Sequence, residues 1–155
     1  MRTPFSLVLF LSLLFALHAC AQTTLEEKPS VANPRDAVPG AVAEVEWTLV
    51  RIERDVQALE PLPGSKATLR MRRDGAVGGL ATINRYFGAA GLGDDGVVTW
   101  TGPMGSTQMA GPPELMEQEA AFLKALQSAA RWRFEGTDLL VLESADGTVR
   151  LIFRR

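Results

Sequence analysis

The side chains that usually do chemistry are sparse in this sequence and unevenly placed. Its only cysteine, Cys20, and its only histidine, His18, both lie in the first 20 residues. Zinc sites, cysteine–histidine pairs and histidine-based proton transfer therefore have almost nothing to draw on. The best remaining group is Asn84-Arg85-Tyr86, which follows a strand-like run containing Gly78-Gly79 and offers an amide, a guanidinium and a phenol at the rim of a sheet. The structural reading of these three stands first, because asparagine can hydrogen-bond its own backbone in a turn and tyrosine packs well at a rim. Thr107 and Met109 alternate as in a strand, which assigns Met109 to the core and satisfies the Thr107 hydroxyl on neighbouring backbone. Glu117 and Glu119 come nearest to a carboxylate pair, but residues two apart on a helix point to different sides. Glu119 lies nearer the apolar face and can reach Arg85 or a buried backbone donor, so a structural ion pair or hydrogen bond is expected of it. Asp94-Asp95-Gly96 is too short a run of oxygen donors for a calcium loop and reads as a turn. The candidate binding residues are thus Asn84, Arg85, Tyr86, Thr107 and Glu119. No catalytic residue, metal ligand or cofactor is expected, and the chain reads as a non-enzyme.

These residues need a scaffold. The 155 residues suffice for one domain, and 46% apolar with 22% charged residues lies in the globular range. A formal charge of −2, from 16 Lys+Arg against 18 Asp+Glu, leaves no basic excess to neutralise a phosphate backbone, so nucleic acid is not an expected partner.

The chain opens on Arg2 and the uncharged apolar run Phe5 to Leu17, which is shorter than the roughly 20 residues that cross a bilayer and reads as an export signal over 1–19. The residues at its end allow two cuts. Leu17-His18-Ala19-Cys20 resembles the bacterial lipobox, whose cysteine becomes lipidated and then amino-terminal; Ala19-Cys20-Ala21 also satisfies an ordinary signal peptidase, which would leave Gln22 first. Lipidation of Cys20 is the preferred reading, since a lone thiol at this place is hard to explain as packing and two or three acyl chains make a stable anchor. With Ala21 after the cysteine, the lipobox resemblance implies an outer-membrane address facing the periplasm, with a soluble periplasmic protein as the alternative. Residues 20–42 carry Pro29, Pro34 and Pro39 among polar residues and read as a tether.

Residues 43–155 alternate apolar and polar positions between turn residues. Strands are expected at Val45 to Leu49, Ala67 to Arg72, Ala76 to Thr82 after Asp74-Gly75, Val97 to Thr101 after Gly96, and in a terminal meander of Arg131 to Glu135, Leu139 to Glu143 and Val149 to Arg154. Pro112-Pro113 opens a segment of helical period, with Leu115, Phe122, Leu123 and Leu126 close to one face, which predicts a helix from Pro113 to Ala129. The fold class is mainly β: a small antiparallel barrel-like domain of seven or eight strands with one amphipathic α-helix over an open end or face. Arg70, Arg72, Arg150 and Arg154 take outward positions, as do Arg131 and Arg133. On neighbouring strands they would form a basic stripe able to meet anionic envelope polymers or lipid headgroups; paired with acids such as Glu135 and Glu143 they would be a solvated face.

Four motifs in register resemble the META domain, the module of HslJ-like heat-inducible lipoproteins: Trp47-Thr48-Leu49, the stretch Gly75 to Tyr86, Gly102 to Gly111, and Met116-Glu117-Gln118-Glu119 running into Phe122, Leu123 and Leu126. The resemblance implies a barrel-like fold with one helix and a link to envelope stress tolerance through contact with an envelope protein or polymer, and it brings no catalytic residues. Where that family commonly has two cysteines, this chain has Ile83 and Gly111, which implies that these positions are neighbours. The alternative function is a lipocalin-like carrier holding a small apolar ligand in a cavity lined by residues such as Trp47, Phe87 or Trp100.

Overall fold

A computed structural model describes residues 38–155. The expected signal, Cys20 and the tether as far as residue 37 lie outside the described residues. Ten strands and one helix follow in order: β1 (Glu46–Arg54), β2 (Gln57–Leu59), β3 (Thr68–Met71), β4 (Ala76–Leu80), β5 (Arg85–Leu92), β6 (Val98–Trp100), β7 (Gly105–Ser106), α1 (Pro113–Gln127), β8 (Ala129–Glu135), β9 (Leu139–Ser144) and β10 (Val149–Arg154). Eight of the strands run in the order β6-β5-β4-β3-β1-β10-β9-β8, while the short β2 and β7 pair with β1 and β5. Every pairing is antiparallel.

The two ends of this path nearly meet. Val97 bridges Arg131, and the Trp132 backbone N–H donates to Gly96 O at 2.8 Å. Two indoles sew the same seam: Trp132 Nε1 donates to Gly93 O and Trp100 Nε1 to Ala129 O, each at 2.9 Å. The sheet is therefore a nearly closed barrel, as the alternating pattern requires when so few helices are available to cover two open faces.

Inward-facing side chains fill the interior. Trp47, Leu69, Phe122, Leu140, Leu151 and Phe153 are fully buried. Helix α1 closes one end by inserting Phe122 between Tyr86 of β5 and Phe153 of β10, with ring centroids 5.7 and 6.3 Å away in edge-on geometry. The packed domain begins earlier than Ala43: Val38 and Val42 are buried, and Trp47 Nε1 donates to Val42 O at 3.1 Å, so the tether read over 20–42 gives up its last residues to the core.

Several local expectations need correction. β1 continues to Arg54 because a bulge between Leu49 and Arg51 shifts its register. The bulge turns Ile52 inward, three positions after Leu49 rather than two, and so breaks the alternation. Strand β5, which contains Gly88 and Gly91, was not among the expected strands; in place, its inward positions Tyr86, Ala90 and Leu92 are buried. Gly79 of β4 lies so close to β3 that a Cβ there would overlap Thr68 O. Among the described residues no helix is long and apolar enough to cross a membrane.

The arginines do not form a stripe. β3 and β10 lie on opposite sides of β1, and Arg70, Arg72, Arg133, Arg150 and Arg154 sit beside Glu44, Asp74, Glu135, Glu53 and Asp138 respectively. Hydrogen bonding from Arg51, with Arg150 also close, holds the Glu53 carboxyl below its usual range, and Lys66 does the same for Glu46. This is the solvated, charge-paired face.

Candidate functional site

Of the five candidate residues, Asn84, Thr107 and Glu119 come together, with the backbone of Met109 as a fourth party. Glu119 projects from the apolar face of α1 and is only 5% exposed. Its Oε2 accepts the backbone N–H groups of Ile83 at 3.0 Å and Asn84 at 2.7 Å, and its Oε1 accepts Asn84 Nδ2 at 2.7 Å. Three donors thus converge on an acceptor-only group.

Asn84 is used completely. Its second Nδ2 hydrogen goes to Met109 O at 3.1 Å, and its Oδ1 accepts both the Met109 N–H and the Thr107 hydroxyl at 2.7 Å. Thr107 Oγ1 in turn accepts the Arg85 N–H at 3.2 Å. One carboxylate and one amide therefore join three parts of the chain: the turn between β4 and β5, the segment after β7, and α1. No buried side-chain nitrogen or oxygen among the described residues lacks a partner, so the cluster works as a clasp.

The remaining expectations divide. Arg85 points to solvent rather than to Glu119, whose donors are backbone and amide groups. Met109 is 54% exposed, not core, because only Gly105–Ser106 forms strand and the chain beyond it runs over the surface. The Thr107 hydroxyl finds the Asn84 side chain where backbone was expected. Tyr86 is a core residue, with its hydroxyl donating to Thr68 O at 2.8 Å. Sequence reasoning missed Gln118, whose Oε1 accepts the Leu62 N–H at 2.6 Å and whose Nε2 donates to Ser65 Oγ and Thr82 Oγ1 at 2.9 Å. Nothing in the local sequence marks it. Glu119 did carry a signal: it lies four residues after Leu115 and three before Phe122, a carboxylate on an otherwise apolar helix face.

Burial pushes the Tyr86 phenol far above its ordinary pKa near 10. Because the folded state keeps the neutral form, the stability linked to this group is complete below pH about 10, the unfolded value, and declines as pH rises further. Tyr86 is the only tyrosine, so phenolate absorbance near 295 nm reports it alone. The expected titration is flat beyond pH 10 until the domain unfolds, then a single step; a smooth curve centred near 10 in folded protein would contradict the buried placement.

The family model for the META domain matches residues 40–155. The chain belongs to the META domain family. Among solved structures, this META domain is similar to a protein from Burkholderia xenovorans whose NMR structure is 25% identical, with a TM-score of 0.61 over 82% of this chain and 90% of that one. It shares its fold with a DUF4847 family protein from Bacteroides vulgatus, 12% identical, with a TM-score of 0.51 over 73% of this chain and 93% of that one. No curated protein matches the chain.

The META resemblance implied that Ile83 and Gly111 are neighbours, and they are. A Cβ placed on Gly111 would overlap Ile83 Cδ1 and lie 3.2 Å from its Cγ1. In this META domain the isoleucine side chain fills the room left by the glycine, directly beside the clasp.

Proposed function

We propose that the chain is a membrane-tethered envelope lipoprotein whose META domain acts through its outer surface, by contact with an envelope component, and catalyses no reaction. The observation that carries the reading is the closure of the Asn84–Thr107–Glu119 cluster, in which each polar side-chain atom is already bonded to another part of the domain. A group held this way orients the chain; it does not wait for a substrate. The address is supported by Cys20, a lone thiol after the apolar run that ends Leu17-His18-Ala19. The link to envelope stress tolerance rests on family membership alone.

Two features favour a surface role over carriage of a small apolar ligand. The barrel interior is occupied by Trp47, Phe122 and Phe153, and Phe87, one of the side chains expected to line a cavity, is 62% exposed. Five of the six arginines on the outer wall, all but Arg131, are matched by acids, which supports a protein partner over an anionic polymer. Metabolic labelling with a palmitate analogue is expected to mark the wild type and to leave Cys20→Ser unmarked. Label retained in the variant would overturn the assignment.

A further inference from the structure

We infer that the groove between the Leu59–Leu62 segment and the first two turns of α1 docks a cationic peptide segment of a partner protein, seating an apolar side chain between acidic rims. The inference rests on reading the domain as a surface-acting module and names the surface. The groove encloses about 350 Å³. Leu49 and Ile52 of β1 form its floor, and Leu59 and Leu62, 46% and 38% exposed, stand at its wall. Two of the six exposed large apolar side chains among the described residues, Leu59 and Leu62, line this groove, and a third, Val56, lies in the turn before β2. An apolar patch rimmed by polar residues is the usual mark of a binding surface.

The groove is built rather than incidental. At one end Gln118 ties the Leu62 N–H and Ser65 to α1; at the other, Arg54 Nη2 donates to Ala121 O at 3.3 Å. A cleft held open at both ends binds without first ordering its own walls, which removes part of the entropic cost of association.

Charge selects the occupant. Glu60, Glu114 and Glu117 surround the opening, and none of them forms an ion pair with a described residue. Six other carboxylates, Glu44, Glu46, Glu53, Asp74, Glu135 and Asp138, do sit beside a lysine or arginine. Three carboxylates against the single Arg54 guanidinium at one end leave the rim acidic, which repels anionic headgroups and attracts an apolar residue flanked by Lys or Arg.

The test uses the full chain in neutral-lipid nanodiscs and a fluorescent peptide in which two leucines are flanked on each side by two lysines, followed by anisotropy at low and physiological salt. Saturable binding is expected, weakened by salt. The triple variant Glu60→Gln, Glu114→Gln, Glu117→Gln should raise Kd about tenfold and remove most of the salt dependence. Leu59→Ser should weaken binding at every salt concentration. These residues are exposed, so all variants should keep the wild-type thermal midpoint. The inference is overturned by absence of saturable binding, by equal binding of a glutamate-flanked peptide, by an unchanged Kd in the triple variant, or by a tighter hold on anionic vesicles. Self-association lost in Leu59→Ser would assign the groove to a second copy instead. Any of these failures leaves labelling at Cys20 as it was, so the anchor and the groove stand or fall separately.

Discussion

Replacing Glu119 with alanine is expected to cost about 3–5 kcal/mol, a large part of the 5–15 kcal/mol that holds a typical domain folded. The loss comes from three donors left without an acceptor: the part-buried N–H of Ile83, and the buried N–H and side-chain amide of Asn84. Glu119→Gln keeps the shape and changes the donor pattern. With its oxygen on the two backbone N–H groups, its amide nitrogen meets Asn84 Nδ2, donor against donor; flipped, it opposes both backbone groups. Asn84→Asp alone sets two acceptors against each other. Combining Glu119→Gln with Asn84→Asp restores one donor–acceptor pair, although the new aspartate oxygen then faces Met109 O, the present partner of Asn84 Nδ2. The double variant is therefore expected to be more stable than the sum of the single losses predicts, by about 1–3 kcal/mol. Urea unfolding of the four proteins measures this directly. Additive losses would show that the two side chains do not act as a unit, and a Glu119→Ala protein as stable as wild type would remove the clasp from the account.

The second large effect is a gain. Ile83→Cys with Gly111→Cys should form a disulfide on export, because a Cβ on Gly111 would lie 3.2 Å from Ile83 Cγ1 and 3.7 Å from its Cγ2, close enough for the two positions to be bridged. Closing a loop of roughly 28 residues should add on the order of 3 kcal/mol if the bridge is unstrained. Gly111→Cys alone should destabilise, since its side chain must displace Ile83 from a packed site. Comparison of thermal midpoints with and without reductant separates the bridge from the repacking. Free thiols or intermolecular dimers in the oxidised double variant would mean that the two backbones are too far apart to bridge.

Much of the fold was legible because its strands obey one rule at a time. β10 occupies Val149–Arg154 as the alternation and the Asp146-Gly147 turn require, and the meander with β9 and β8 follows from the turns between them. The helix was marked at its start by Pro113 and along its length by Phe122 and Leu126. Legibility failed where two rules conflict. The bulge in β1 shifts the inward position from Leu49 to Ile52, and the glycines of β5 look like punctuation although they sit in a barrel wall. The clasp was only half legible. A carboxylate on the apolar face of α1 announced that Glu119 needed a partner, but Asn84 lies 35 residues away, a pairing that no local period encodes. The 56–62 segment carried no signal at all, because its meaning depends on which helix turn lies opposite.

A filled, clasped domain held to the envelope through Cys20 has two separable parts, the packed interior and the anchor. Native mass spectrometry of the chain isolated from the membrane fraction of a bacterial host tests both parts at once. The account predicts a mature chain that begins at Cys20, carries the added mass of its acyl groups, and brings no apolar ligand with it. An unmodified chain beginning at Gln22, or a noncovalent apolar ligand released only on unfolding, would contradict it.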